Sequence, residues 1–148
     1  MRVWKIKILL LSLILLSFQI SFGQKEEAIL VDSSGYQNSE IASLKIDMFR
    51  NELQNIPSSI GYIIIYGGKV NKVGEIEAHL RGINYAFDLK KIDKSKIKII
   101  QGGFREKLTF DYWVVPQGAC PPLPTPSIGI EKVKFRGISQ RIIYHECC

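Results

Sequence analysis

The chain has 148 residues, 46% of them hydrophobic and 23% charged, with a formal net charge of +6. This length suits one domain with a short tail. The composition excludes a disordered polyelectrolyte, a collagen-like repeat and a polytopic membrane protein, and three cysteines are too few for a disulfide-scaffold miniprotein.

Residues 1–23 begin with the basic Arg2, Lys5 and Lys7, continue through an apolar run from Ile8 to Phe18, and end on the small residues Ser21 and Gly23. This three-part pattern predicts a secretory signal peptide cleaved before Gln24. Retention as an anchor is the alternative that the run's length leaves open. Removing the segment leaves 17 basic against 14 acidic residues, or +3. The remaining charges are interspersed, and no basic stripe carries interleaved aromatics, so nucleic acid is not an expected partner. After cleavage no integral membrane span is expected, and the expected location is periplasmic or secreted.

Ala28–Val31 followed by Asp-Ser-Ser-Gly reads as a strand and a turn. Ser39 can cap a helix, along which Ile41, Leu44, Met48, Phe49, Leu53 and Ile56 recur at helical spacing until Pro57 stops it. Ile60–Tyr66 (IGYIIIY) is a continuous, β-branched run, the pattern of a central strand covered on both faces. Gly67-Gly68 ends it. A second amphipathic helix is predicted over about residues 75–91, with Ile76, Leu80, Ile83 and Phe87 on one face. Ile97–Gln101 is a further strand, closed by Gly102-Gly103. Strand, helix and strand of these lengths form a right-handed βαβ crossover with parallel strands.

Leu108–Val115 alternates, and its short connection favours an antiparallel hairpin with the preceding strand. Asp111 falls on the face expected to meet solvent. Residues 116–127 (PQGACPPLPTPS) hold five of the six prolines and read as a stiff connector. The expected organisation is a signal peptide over 1–23, an α/β domain over 28–116, a linker over 117–127, and a hairpin or tail over 128–148. The expected fold class is α+β, a two-layer α/β sandwich with a β-α-β-α-β-β mixed sheet and both helices on one face.

In an oxidising compartment Cys120 could bridge to Cys147 or Cys148, closing a loop worth roughly 3 kcal/mol. Spacing alone leaves open a free terminal pair or a cross-link between chains. His145, Glu146, Cys147 and Cys148 are adjacent rather than in the separated pairs of a structural zinc site, so no metal is expected. His79, near the edge of the second helix's apolar stripe, reads as a boundary or surface histidine.

The order of elements over residues 28–116 resembles the OmpA-like peptidoglycan-binding domain. The closest local likenesses are Glu77–Leu89 (EAHLRGINYAFDL) and the turn and strand IDKSKIKIIQGG. The chain also resembles small exported bacterial proteins with a GYIIxYGG strand and a GGxREELT hairpin. The OmpA-like resemblance implies an arginine, at Arg81, that holds a ligand carboxylate. The family's ammonium-binding aspartate would fall in Tyr66-Gly67-Gly68-Lys69, where no acid is present. Gly67, Gly68, Lys69, Arg81 and Arg105, near the carboxyl ends of parallel strands, are therefore the candidate ligand-binding residues. The competing reading of the glycine pairs is tight turns alone.

No GxSxG, Walker loop or GxGxxG is present, and no cofactor is expected. The resulting expectation is a non-enzymatic envelope binding or accessory module whose partner is peptidoglycan, another anionic ligand or an envelope protein; the alternative is a protein–protein interaction or structural domain with a disulfide-linked C-terminus.

Overall fold

The computed structural model describes residues 26–138. In chain order these form β1 (Ile29–Ser34), α1 (Ser39–Asn55), β2 (Ile60–Gly67), β3 (Val70–Val73), α2 (Glu75–Leu89), β4 (Ile97–Phe104), β5 (Thr109–Val115) and β6 (Lys134–Ile138). A four-stranded mixed sheet runs β1-β5-β2-β4, and β3 and β6 form a second, two-stranded sheet. The fold is α+β, with two helices on a mixed sheet.

The IGYIIIY run does what its composition demands. Within β2, Gly61 through Gly67 are all buried. Ile63 and Ile65 join Phe110, Tyr112 and Val114 of β5 in a core that also holds Ile46 and Phe49 of α1 and Ile76, Ile83, Ala86 and Phe87 of α2. Both helices therefore lie on this one face. The strands β2 and β4 are parallel, with Ile63 opposite Ile99, as the crossover through α2 requires.

Three expectations are corrected. The strand β5 does not form a hairpin with β4. It inserts antiparallel between β1 and β2, placing Tyr112 against Ile63 and Asp32. The reason is burial: Phe110, Asp111, Tyr112, Val114 and Val115 are all buried, which a position beside two strands provides and an edge does not. The stripe on α1 is also split. Ala42, Ile46 and Phe49 face the core, whereas Ile41, Leu44 and Met48 stand exposed. The α1 cap is Asn38, whose Oδ1 accepts from the Ile41 amide at 2.8 Å, rather than Ser39.

The segment after β5 returns along the second face of the sheet. The Ser127 and Ile128 amides donate to the Phe104 carbonyl at 3.0 and 3.1 Å, Ile128 is buried, and the Thr125 amide donates to the Tyr66 hydroxyl at 3.1 Å. The strand-like stretch expected from residue 130 is a short 3-10 turn over Ile130–Lys132 followed by β6, parallel to β3. The stretch expected at Ile142–Tyr144, with Cys147 and Cys148, lies outside the described residues, as does the signal segment. Cys120 is exposed.

Candidate functional site

The two glycine pairs do meet at one end of the sheet. The Arg105 amide donates to the Gly67 carbonyl at 2.9 Å, the Lys69 amide donates to the Glu106 carbonyl at 3.4 Å, and Lys69 Nζ lies 3.3 Å from the Glu106 carboxylate. The junction is filled by the protein itself. A Cβ on Gly67 would lie 2.7 Å from the Phe104 ring, and one on Gly102 would lie 2.5 Å from the Tyr66 ring. These glycines permit close packing. Arg81 is exposed on the outer side of α2, without a hydrogen bond or ion pair to a described residue.

Arg105 spans the second face. It leaves the end of β4, lays its guanidinium 3.5 Å from the centre of the Tyr66 ring on β2, and reaches Asp111 on β5 with Nη1 and Nη2 at 3.3 and 2.9 Å. The Ser33 hydroxyl on β1 donates to the same carboxylate at 2.6 Å. One chain of polar contacts thus crosses all four strands. Arg105 also donates to the Thr125 carbonyl and hydroxyl at 3.2 and 2.8 Å, tying the proline-rich segment down. Asp111 is 4% exposed, against the expectation of a solvent face. A buried carboxylate needs such partners, and Arg105 with Ser33 supplies them.

His79 is likewise buried rather than at the boundary. Its ring meets Phe110 edge-on at 5.1 Å and Tyr36 at 6.4 Å. Burial pushes its imidazole below the ordinary value, with Glu75 opposing more weakly.

A cleft among the described residues lies elsewhere, at the opposite end of the sheet. It measures about 410 Å³ and opens beyond the ends of both helices, lined by Arg50, Leu53, Ile56, Ser58, Ser59, Lys90, Lys91, Ile92, Asp93 and Lys96, among others. Leu53, Ile56 and Ile92 belong to the partly buried margin of the core and give it an apolar flank. Four of the lining residues named are cationic and one, Asp93, is acidic. Behind them Asp47 accepts from Lys90 at 2.8 Å and lies 3.4 Å from Arg50 Nη2. Asp93 holds the Ser95 hydroxyl and amide at 2.7 and 3.0 Å. These hydrogen bonds hold its carboxyl below the usual range.

Sequence reasoning passed over this cleft because its cations come from separate segments. The Lys90-Lys91 doublet at the end of the second predicted helix was its one local signal. Among the described residues no group of three or more His, Cys, Asp or Glu could hold a metal ion, and no helix is long and apolar enough to cross a membrane. No protein-family model, curated protein or solved structure matches the chain.

Proposed function

We propose that the protein is an exported, non-enzymatic binding module of the cell envelope that holds an anionic ligand in the cleft beyond α1 and α2. The observation that carries this reading is the convergence of Arg50, Lys90, Lys91 and Lys96 on one cleft of about 410 Å³, with Asp93 the acid in its lining. The candidate cations at the glycine junction already have internal partners, Glu106 for Lys69 and Asp111 for Arg105. Arg81 offers a single exposed charge with no surrounding cavity residue in common with the cleft.

The test is titration of the folded protein with soluble peptidoglycan fragments and with small anions, followed by amide chemical shifts. Shifts clustered at residues 50–59 and 90–96 and reduced by salt support the reading. Shifts clustered around 67–69, 81 and 105 would return the site to the OmpA-like position, and no shifts with any anion would remove the reading altogether.

A second reading is contact with another protein copy. It is favoured by the ridge of Ile41, Leu44 and Met48, which stand exposed on α1 at i, i+3 and i+7. Sedimentation equilibrium decides it: a dimer lost in Leu44→Lys favours it, and a monomer at all concentrations disposes of it.

A further inference from the structure

The chemical class of anion can be taken further, on the basis of the binding site just proposed. We infer that the cleft is built for a doubly charged phosphate monoester. Two observations beyond the cation count support this.

The first concerns backbone conformation. Ser58 and Lys91, at φ 61° and 52°, are the non-glycine residues with positive φ among the described residues, and both line the cleft. A residue in this left-handed conformation just after a helix is ordinarily glycine, because a Cβ is disfavoured there. Lysine at position 91 gives up that advantage and keeps a cation at the rim. Non-glycine residues in such conformations concentrate at ligand sites.

The second concerns what the cations are free to do. Basic residues at helix C-termini commonly serve the last carbonyls. Here several of those carbonyls have partners already. The Ser59 hydroxyl donates to the Leu53 and Ile56 carbonyls at 3.2 and 2.7 Å. The amides of Lys90, Lys91 and Ile92 donate to the carbonyls of Ala86, Asp88 and Phe87 at 3.0, 3.2 and 2.9 Å. Neither helix has a basic residue in its own last turn. In addition, the Arg50 Nε is buried without a hydrogen-bond partner, so this guanidinium has unspent donor capacity.

Charge then selects the ligand. The four lining cations oppose Asp93 in the lining and Asp47 behind it. That leaves a net excess of two positive charges, which matches a phosphate monoester dianion and exceeds a single carboxylate. Four cations from separate segments also suit a tetrahedral group with several acceptor oxygens, whereas a carboxylate is met by one guanidinium fork. The apolar margin of Leu53, Ile56 and Ile92 would lie along the organic part of the ester.

The experiment uses the folded protein, glycerol 3-phosphate as probe, and sulfate and acetate as comparisons. The charged groups lining the cleft are Arg50 from α1, Lys90 and Lys91 after α2, and Asp93 and Lys96 from the turn, with Asp47 of α1 behind them against Lys90 and Arg50. The probe takes up its second proton with a pKa of about 6, passing from the dianion at about pH 7.5 to the monoanion at about pH 5.0. Affinity for glycerol 3-phosphate should fall about tenfold between those values, as the dianion fraction falls, while affinity for sulfate stays level.

Lys91→Gly should weaken the probe several-fold without lowering the melting temperature, since glycine relieves the left-handed strain. Lys107→Gln, an exposed charge outside the cleft, should leave binding unchanged. Vesicles containing phosphatidic acid, compared with the soluble ester, distinguish a lipid headgroup from a free phosphate ester as the source. Acetate or a peptidoglycan carboxylate binding as tightly as the phosphate would overturn this inference and leave the proposed function standing. Failure of every anion to bind would overturn both.

Discussion

Arg105→Ala tests how much of the fold depends on one polar chain across the sheet. The substitution strands Asp111, which is 4% exposed and would retain Ser33 as its remaining side-chain donor. Breaking a buried pair by removing one partner costs roughly 3–5 kcal/mol. The Arg105 side chain is 22% exposed, so water can reach part of the vacated space, and the low end of that range applies. The loss of the contact with the Tyr66 ring adds about 0.5–1 kcal/mol. The expected total is about 3.5–4 kcal/mol, a large share of the roughly 5–15 kcal/mol that stabilises a typical domain.

Urea unfolding at pH 7 measures it. With a slope of about 2 kcal/mol/M the midpoint should fall by roughly 1.5–2 M. A double-mutant cycle with Asp111→Ala should show coupling of about 2 kcal/mol, because each single change leaves the other charge uncompensated. Because Thr125 loses both of its contacts with Arg105, proteolysis within residues 116–128 should also accelerate. A destabilisation below 1 kcal/mol, the value of an exposed ion pair, would refute the reasoning and leave the second face held by apolar packing alone.

Gly102→Ala should destabilise by about 1–3 kcal/mol in the same assay, since its Cβ would lie 2.5–2.6 Å from Tyr66 and Ile64 atoms in a packed interior. His79 should make stability pH-dependent. Its folded pKa is depressed by burial, so its contribution is complete above about pH 6.5 and is lost as pH falls from there toward the folded value, at up to about 1.4 kcal/mol per pH unit. Unfolding curves of the wild type and His79→Gln between pH 7.5 and 5.5 check this, and an equal slope in both would exclude His79 as the source. Leu44→Lys, on the exposed ridge of α1, should change monomer stability by no more than about 0.5 kcal/mol, read as an unchanged urea midpoint.

The parts of the fold that could be read from the chain are those written in local pattern. Ile60–Tyr66 declares the burial of all but its first residue, because a short, β-branched run with no charged member suits a strand covered on both faces. The segment from Glu75 to Gln101 declares a parallel crossover, because a helix of that length returns the chain in the same direction.

The position of β5 was hidden for a definite reason. Asp111 breaks its apolar pattern and imitates a solvent-facing residue, while the partner that makes its burial tolerable sits six positions earlier, across β2. Pairing of this kind is a property of the assembled sheet. On α1 two apolar series interleave, and the small Ala42 in the true core stripe carries less signal than Leu44 and Met48 on the exposed one. The cleft was harder still: Arg50, Lys90, Lys91 and Lys96 are unremarkable as single charges, and only the parallel arrangement of the two helices brings their ends together.

The two ends of the sheet divide the cations between structure and recognition. Open α/β sheets usually bind ligands outside the carboxyl ends of their parallel strands, which here means beyond Gly67 and Phe104. That end is sealed by the Phe104 ring against Gly67, by the Lys69–Glu106 pair, and by the Lys134 amide donating to the Lys69 carbonyl at 2.8 Å where β6 joins β3. Closing it engages Lys69 and Arg105 internally. At the amino-terminal end no strand among the described residues covers the gap between the helices, Asp47 is shared between Lys90 and Arg50, and the positive charge of the lining exceeds what Asp47 and Asp93 neutralise. A ligand drawn by charge would therefore go to the end that the usual rule for such sheets does not favour. If neutralising Lys91 and Lys96 together left anion binding intact while neutralising Arg81 abolished it, this division of the molecule would be wrong.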